Sequence, residues 1–255
     1  MRETITFIGY GNMALSIAKG LKEQYRIEVA GRDTNKLDAF ESALETSIDK
    51  HLLDGFDVTG KTVILCVKPA NVEEVSAKLI GKARILYSVL AGTTIEKLDA
   101  YFNTNAIVRC MPNLAASVGA SMTTMTGDKN FKDEAGLLMG SIGSTVWLDS
   151  EKEIDIATAL AGSGPAYLAL IAEALADGAV KQGLKRTDAM RVMQGLFAGF
   201  GKLIQKVHPA LLKDGVMSPG GTTAAGYGAL EEGNVRAACI DAIEKAYLKA
   251  KELSK

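Results

Sequence analysis

Hydrophobic and polar positions follow different patterns in the two halves of the chain. In the first half, short β-branched runs alternate with segments whose apolar positions recur at helical spacing. This alternation predicts a doubly wound, mostly parallel sheet flanked by helices. The predicted strands cover residues 4–9, 26–30, 62–67, 84–89, 106–111, 121–126 and 145–148. The predicted helices cover residues 12–21, 35–44, 72–79, 95–101 and 133–139.

The strand pattern ends near residue 150, and apolar segments at helical spacing follow. The predicted helices cover residues 153–161, 166–182, 187–207, 223–232 and 234–252. An uncharged run over residues 156–172 is interrupted by Gly-Ser-Gly-Pro at residues 162–165, which favours a buried helix pair over a membrane span. We therefore expect an α/β domain over residues 1–150 and an all-α domain over residues 151–255. An all-helical domain this apolar is expected to bury one face against another subunit.

Composition narrows the classes of function. Hydrophobic residues make up 47% of the chain and charged residues 23%, as in ordinary globular proteins. The net charge is -1 without a basic block, so we expect no nucleic-acid partner. Cys66, Cys110 and Cys239 lie far apart in apolar runs, which indicates buried, reduced thiols. Reduced thiols favour a cytoplasmic location. A strand begins almost directly after the N-terminus, so we expect no signal peptide. We also expect no metal site.

The first strand runs into a G-x-G-x-x-A motif at residues 9–14, which opens the first helix. Glycines at its first two positions permit a tight turn and close approach of the backbone to a pyrophosphate. A lone motif of this kind is weak evidence. Its strand-turn-helix context here favours dinucleotide binding over a glycine-rich turn without a ligand. We therefore expect residues 1–150 to form a dinucleotide-binding (Rossmann-like) domain, and residues 151–255 to form a helical substrate-binding and dimerisation domain.

The end of the second strand bears on the choice of cofactor. Arg32 suits the 2′-phosphate of NADP, whereas an acid at this place suits the ribose hydroxyl of NAD. Asp33 follows directly and either caps the next helix or weakens the preference for NADP. A solvated loop residue is the alternative interpretation of Arg32. The sequence thus predicts NADPH as the preferred cofactor, with NADH possible.

Three further predicted strands end in residues that suit a shared cleft. Lys68 and Pro69 follow the third strand, Ala91–Thr94 follow the fourth, and Asn113 follows the fifth. Open α/β sheets bind ligands at the carboxyl ends of their strands. These strand ends together predict one cleft.

Near the C-terminus, Ser-Pro-Gly-Gly-Thr-Thr at residues 218–223 opens an apolar helical run. A helix start of this kind presents unpaired N–H groups and the positive end of the helix dipole, and it can hold a carboxylate. An ordinary capped helix start is the alternative interpretation of the same residues.

Taken together, these motifs resemble the pyrroline-5-carboxylate reductase family along nearly the whole chain. The shared stretches are GYGNMA at residues 9–14, VKP at 67–69, AGTT at 91–94, MPN at 111–113, ALAGSGPAY at 159–167 and the region from His208 through SPGGTT to Glu231. Two features depart from the family pattern. Leu114 and Ala115 stand where Thr-Pro is usual, and Ala120 stands where glycine is common.

The resemblance implies reduction of 1-pyrroline-5-carboxylate to L-proline by NAD(P)H, in a homodimer or a larger assembly of dimers. It implies that Ser218, Gly221 and Thr222 bind the substrate carboxylate, and that the catalytic Thr223 hydroxyl hydrogen-bonds the ring nitrogen. The residues expected to bind the cofactor are Ile8, Gly9, Tyr10, Gly11, Asn12, Met13, Arg32, Val67, Lys68, Pro69, Ala91, Gly92 and Asn113.

Hydride transfer to an imine that solvent has already protonated needs orientation more than a strong acid. This suits a chain in which His51 is predicted in a polar loop and His208 at a helix end. β-Hydroxyacid dehydrogenases would need a catalytic lysine soon after the turn at residues 162–165, but the first lysine is Lys181. A non-catalytic nucleotide sensor is the rival from another class, and it would ignore proline.

Overall fold

The computed structural model describes residues 2–253, which divide into two compact units. One unit comprises the chain up to Ser163 together with the chain from Lys245 onward, and the other comprises Gly164–Glu244. All strands of the described chain belong to the first unit, and the second unit is helical.

The first unit is built on an eight-stranded sheet. Its strands are β1 (Thr4–Ile8), β2 (Arg26–Gly31), β3 (Asp49–Leu52), β5 (Thr62–Leu65), β7 (Ile85–Ser88), β8 (Ile107–Met111), β9 (Ser121–Gly127) and β10 (Gly143–Trp147). A separate pair consists of β4 (Phe56–Asp57) and β6 (Leu79–Ile80). The large sheet has the order β10-β9-β8-β7-β5-β1-β2-β3. All its neighbouring strands are parallel except β8 and β9, so the predicted Rossmann-like sheet is confirmed.

Eleven helices belong to the described chain. They are α1 (Asn12–Leu21), α2 (Thr34–Leu44), α3 (Val72–Ser76), α4 (Ile95–Tyr101), α5 (Lys132–Gly140), α6 (Glu151–Ala157), α7 (Gly164–Lys181), α8 (Arg186–Leu203), α9 (Pro209–Val216), α10 (Thr222–Glu232) and α11 (Val235–Leu253). Short 3₁₀ turns cover Pro69–Asn71, Leu114–Val118 and Lys129–Phe131, and a π-helical turn covers Thr158–Gly162.

The direction in which the chain builds the sheet reverses between β1 and β5. From β1 the chain adds β2 and β3 on one side, and it then returns to β5 and adds β7 and β8 on the other. Loops that leave neighbouring strands in opposite directions open a crevice at the carboxyl edge. The segments that follow β1, β2 and β5 border this crevice.

Apolar side chains bury both faces of the large sheet. Along β1, Ile5 and Phe7 pack on one face with Ile17 of α1, whereas Ile8 packs on the other face with Leu65 of β5. None of these side chains is more than 1% exposed. Burial of one such side chain stabilises a fold by about 1.5–3 kcal/mol relative to exposure. The uninterrupted apolar run of β5 is thus explained by cover on both faces.

Some short elements differ from the sequence prediction. β3, β4 and β6 were not predicted, and β6 lies where the end of a helix over residues 72–79 was expected. His51, expected in a polar loop, lies in β3 with its Nε2 3.2 Å from a carboxylate oxygen of Glu28. The edge strand β3 carries the sequence Asp-Lys-His-Leu, which lacks the apolar alternation that identifies a strand.

The helix predicted over residues 187–207 is also shorter than expected. It ends at Leu203, and the separate helix α9 begins at Pro209. His208 caps α9, because its Nδ1 accepts a hydrogen bond from the Ala210 N–H at 3.3 Å. His208 thus lies at a helix end, as predicted, and its side chain serves as the N-cap.

The predicted buried helix pair over residues 156–172 is wrong in two respects. The helical run continues from Glu151 to Lys181 through the Gly-Ser-Gly-Pro segment, and only 11% of its most apolar window is buried. Length and composition alone would let this run, and no other among residues 2–253, cross a membrane. Large exposed apolar surfaces mark contacts with other proteins or with membranes. Leu170 on α7 and Val192 on α8, for example, are 67% and 64% exposed.

The three cysteines are all free, as predicted, but they are not equally buried. Cys110 is buried, Cys66 is half-buried, and Cys239 on α11 is exposed. Burial raises the pKa of the Cys66 and Cys110 thiols well above the ordinary value. Since thiolates rather than thiols are nucleophilic, these two groups are inert.

A charged cluster joins β7 to α5. Arg84, just before β7, donates two hydrogen bonds of 2.6 and 2.9 Å to the Glu134 carboxylate, and the Tyr87 hydroxyl donates a third at 2.8 Å. Desolvation raises the pKa of Glu134. The hydrogen bonds from Arg84 and Tyr87 lower this pKa by more than desolvation raises it, so the pKa lies below its ordinary value. The ionised carboxylate therefore stabilises the folded state.

We expect Glu134→Gln to lower stability near neutral pH and to have a smaller effect in acid. The folded-state pKa of Glu134 is depressed, so its stabilisation is present above the ordinary value of 4.5 and is lost as the pH falls through the folded value. Urea unfolding at about pH 7 and about pH 3 measures the difference, or gap, in the free energy of unfolding between the variant and wild type. Asp133→Asn, which removes a neighbouring exposed carboxylate, is the control. A gap of equal size at both pH values would contradict this role of Glu134.

Candidate functional site

The loop after β1 can be formed only with glycine at position 9. Gly9 has a φ of +107°, and a Cβ there would lie 2.6 Å from the Cys66 carbonyl oxygen. Its N–H donates to the Ala30 carbonyl at 3.0 Å. The backbone therefore passes tightly between the ends of β2 and β5, which fixes where α1 begins.

Gly11 has a different reason to be glycine. It is the N-cap of α1 with a φ of −76°, and a Cβ at this position would have no heavy atom within 4 Å. No side chain caps this helix, so the N–H groups of Asn12 and Met13 are available to an anion. Open space beside uncapped donors fits a pyrophosphate group.

The end of β2 places a cation and a helix cap side by side. Asp33 accepts a hydrogen bond from the Lys36 N–H at 3.3 Å and caps α2. Of the two roles predicted for Asp33, the role as helix cap is thus confirmed. The Arg32 guanidinium is not simply solvated, because its Nη1 lies 3.1 Å from both carboxylate oxygens of Glu74 on α3. Gly31 accommodates the Tyr10 ring, which would lie 2.2 Å from a Cβ at that position.

A cavity of about 420 Å³ lies at this edge of the sheet. It brings together seven of the residues predicted to bind the cofactor: Ile8, Gly9, Tyr10, Gly11, Arg32, Val67 and Lys68. The remaining lining residues were not predicted; they are Ala30, Gly31, Lys36, Leu53, Cys66, Asn71 and Val75. Lys36 and Asn71 lie in the first turns after β2 and β5, and this position in the sequence is the feature from which their place in the cavity could have been predicted.

The other predicted cofactor residues lie outside this lining. Asn12 and Met13 form the first turn of α1, and Pro69 begins the 3₁₀ turn after β5. Ala91 and Gly92 lie between β7 and α4, where Gly92 has a φ of +63°.

Asn113 lies at the end of β8, and its amide is fixed by two backbone partners. Its Oδ1 accepts from the Ala115 N–H at 3.1 Å, and its Nδ2 donates to the Ala161 carbonyl at 3.0 Å. Proline at position 115, as is usual in the resembled family, has no N–H to donate. Ala115 therefore gives the Asn113 side chain a hydrogen bond that a proline at this position could not donate.

A buried arginine supports the loop that contains Ala91 and Gly92. Arg109 on β8, with a side chain only 1% exposed, donates to Glu151 at 2.7 Å and to Asp155 at 3.2 Å. The same Glu151 oxygen accepts from the Ile95 N–H at 2.9 Å, at the start of α4. This ion-pair network was not predicted, because a lone arginine in a strand gives no signal of its partners.

The second unit contains the Ser-Pro-Gly-Gly-Thr-Thr segment as an open helix start. Gly220 has a φ of +71°, and Gly221 is the N-cap of α10 without a side-chain hydrogen bond. A Cβ on Gly221 would lie 2.4 Å from the Ser218 Oγ, so that hydroxyl lies directly over the cap. Thr222 and Thr223 are the first two residues of α10, and both are exposed. The segment thus offers hydroxyls and backbone donors to an anion.

The far end of α10 is held by a polar cluster. The Tyr227 hydroxyl donates to Glu231 at 2.6 Å, and the Arg236 guanidinium also contacts the Glu231 carboxylate. Hydrogen bonds from Arg236 and Tyr227 lower the pKa of Glu231 to about 2. The carboxylate is therefore ionised at neutral pH, and it joins α10 to α11 within the second unit.

Two family models match the chain. One, described as pyrroline-5-carboxylate reductase dimerisation, matches residues 151–253. The other, described as NADP oxidoreductase, coenzyme F420-dependent, matches residues 4–92.

Named relatives and solved structures cover nearly the whole chain. The pyrroline-5-carboxylate reductase of Pisum sativum is 37% identical over 265 residues, which cover 98% of this chain and 96% of the relative. That of Synechocystis is 39% identical over 203 residues and covers 76% of each chain. The structure of the Coxiella burnetii enzyme superposes with a TM-score of 0.84 at 33% identity and covers all of both chains. The Plasmodium falciparum enzyme with NADP bound gives a TM-score of 0.80 at 26% identity and covers 99% and 100%.

Alanine at the two glycines of the first loop should affect different properties, ligand binding at Gly11 and stability at Gly9. Gly11→Ala is expected to lower stability by no more than about 1 kcal/mol, because alanine is a poorer N-cap than glycine. It should weaken NADPH binding about tenfold or more, because its Cβ enters open space that the proposed pyrophosphate site needs. Gly9→Ala should instead cost at least about 1–3 kcal/mol from backbone strain. Thermal unfolding and fluorescence titration with NADPH measure the two effects. Unchanged NADPH affinity in Gly11→Ala would contradict the pyrophosphate site.

Proposed function

The chain belongs to the pyrroline-5-carboxylate reductase family, and from that premise we propose which of its residues bind the two reactants. It is an oxidoreductase that reduces 1-pyrroline-5-carboxylate to L-proline with NADPH. One observation carries this conclusion: named reductases of this kind align with nearly the full chain at 30% identity or more. The bound NADP of the Plasmodium falciparum neighbour supports the cofactor.

The crevice at the carboxyl edge of the sheet is the proposed cofactor site. The loop from Ile8 to Met13 holds the pyrophosphate on the uncapped start of α1, with Gly11 leaving room for it. Arg32 serves a 2′-phosphate and supports a preference for NADPH over NADH. The proposed contacts to the remainder of the cofactor come from Val67, Lys68, Pro69, Ala91, Gly92 and Asn113.

The start of α10 is the proposed substrate site. Ser218, Gly221 and Thr222 receive the carboxylate, because the uncapped N–H groups and the helix dipole both favour an anion. Thr223, one residue into the same turn, hydrogen-bonds the ring nitrogen. The exposure of Thr222 and Thr223 on the single chain leaves both hydroxyls accessible to a ligand.

Hydride transfer to the imine requires orientation of the two reactants rather than a strong acid. When bound, the reduced nicotinamide supplies the hydride that adds to the imine carbon. The imine nitrogen takes its proton from solvent before that step, and this leaves Thr223 the role of holding it in place. No histidine is required, and this agrees with the cap role of His208 and the strand position of His51.

The chain forms oligomers, and the match to a dimerisation model over residues 151–253 supports this statement. We propose a homodimer or a larger assembly of dimers, in which other subunits cover the exposed apolar side chains of α7 and α8. We propose a domain boundary near residue 150, where that match begins; the compact units of the structure divide instead at Ser163 and Gly164. Three free cysteines support a reducing, cytoplasmic location. The net charge of -1 without a basic block supports the proposal that nucleic acid is not a partner, and we propose no membrane partner.

The direct test follows the oxidation of NADPH and of NADH spectrophotometrically in the presence of pyrroline-5-carboxylate. We expect turnover with both cofactors and a higher kcat/KM with NADPH. Absence of oxidation with either cofactor, from folded oligomeric protein, would overturn the function. A nucleotide sensor would bind NADPH without turning over and would ignore proline in isothermal titration.

Thr223→Ala is expected to lower kcat about ten- to a thousandfold while folding stays intact, because the ring nitrogen loses its hydrogen bond. Thr223→Ser should recover most of this loss, because it restores the hydroxyl. Thr187→Ala removes an exposed hydroxyl from α8 of the same unit and is the control for a general effect of the substitution. Steady-state kinetics and thermal unfolding measure the outcome. Full activity in Thr223→Ala would show that the assignment is wrong.

A further inference from the structure

Arg32, the residue proposed for the 2′-phosphate, is already held by an acid. Its Nη1 lies 3.1 Å from each oxygen of the Glu74 carboxylate. The two side chains are each 48% exposed, so the pair can exchange partners with a ligand. Glu74 lies on α3, directly beside the cavity-lining residue Val75.

Further charges keep Glu74 at this place. Lys78, one turn further along the chain, has its Nζ 3.6 Å from Glu74 and 3.3 Å from Asp54. Glu74 therefore keeps a cationic neighbour when Arg32 turns away from it. Lys78 thus keeps the carboxylate near Arg32, so Glu74 stays in competition for the guanidinium.

A phosphate monoester and the Glu74 carboxylate compete for the same guanidinium. The phosphate carries about −1.5 to −2 charges at neutral pH, and it binds the guanidinium only by displacing the Glu74 carboxylate from it. The ribose hydroxyl of the unphosphorylated dinucleotide carries no charge and does not compete for the guanidinium, so its binding leaves the ion pair intact. Lys36, which lines the same cavity, makes no ion pair with a described residue and attracts the phosphate from a second side.

We propose that Glu74 is a specificity-determining residue for the cofactor. By holding Arg32, it lowers the preference of this chain for NADPH over NADH. The inference rests on the proposed cofactor site and adds to it a residue outside the cavity lining. It explains how an arginine suited to NADPH is compatible with use of NADH.

Glu74→Gln keeps the size of the side chain and removes its charge. We expect the ratio of the NADPH and NADH dissociation constants to shift about three- to thirtyfold towards NADPH, measured by fluorescence titration without substrate. The shift should shrink at high salt, because the competing groups are exposed. Glu73→Gln, on the same helix and without an ion pair among the described residues, is the matched control. An unchanged ratio in Glu74→Gln would overturn the proposal.

The route through Arg32 is tested by a double-mutant cycle. In the Arg32→Gln background, Glu74→Gln should change the ratio by less than about twofold, because the contested guanidinium is gone. A full shift in that background would mean that Glu74 acts on the phosphate directly, which contradicts the proposed route.

Failure of this inference and failure of the proposed function give different results. If wild type oxidises both cofactors with pyrroline-5-carboxylate and Glu74→Gln keeps the same ratio, only the role of Glu74 is wrong. If wild type oxidises neither cofactor, the function is wrong. The binding ratios then still decide the role of Glu74 in dinucleotide recognition, because they need no turnover.

Discussion

The cofactor edge of this protein depends on the close approach of one backbone segment to another. Gly9 passes so near the Cys66 carbonyl that no side chain fits between them. Two hydrogen bonds join the same strand ends, from Gly9 to Ala30 at 3.0 Å and from Cys66 to Ile8 at 2.9 Å. Because α1 begins directly after this turn, the approach determines where its free N–H groups lie. The position of the anion site is thus a property of the backbone, and it needs no charged side chain.

A second constraint supports the same edge from the far side of the sheet. Arg109 is almost fully buried, and its charge is balanced by Glu151 and Asp155. Removal of one partner from a buried pair is strongly destabilising, because the remaining charge is left without compensation. Since Glu151 also accepts the Ile95 N–H, this pair determines where α4 and the loop before it begin. The buried charges of this network thus act on position, whereas the proposed role of the exposed Arg32 and Glu74 is in ligand choice.

The sequence predicted the parts of the fold that have a strong local pattern. α1 and α4 have the predicted bounds, because apolar spacing and flanking glycine or threonine define them within a few residues. β3 was missed because Asp-Lys-His-Leu pairs along an edge by backbone alone. Cys239 lies in an apolar run and is nevertheless exposed on the single chain, because burial of a helix face depends on what covers it. In the cofactor cavity, glycines were predictable from their motif, but the contact between Arg32 and Glu74 joins residues 42 positions apart.

The helices of this chain begin in two ways. α2, α4, α6 and α9 are capped by side chains, from Asp33, Thr94, Ser150 and His208. No side chain caps α1, α3, α5, α8 or α10, and among these only α1 and α10 have glycine as the N-cap, Gly11 and Gly221. Compared with serine, threonine or aspartate, glycine at an N-cap costs only a few tenths of a kcal/mol, and it brings no side chain that occupies the free N–H groups. These two starts therefore suit anions at little cost in stability, and the two reactants of the reductase each carry one: the cofactor its pyrophosphate, the substrate its carboxylate. Neither proposed site requires a group that titrates near neutral pH, and under the proposal for Glu74 the exposed charges at the rim of the cavity set the choice between NADPH and NADH.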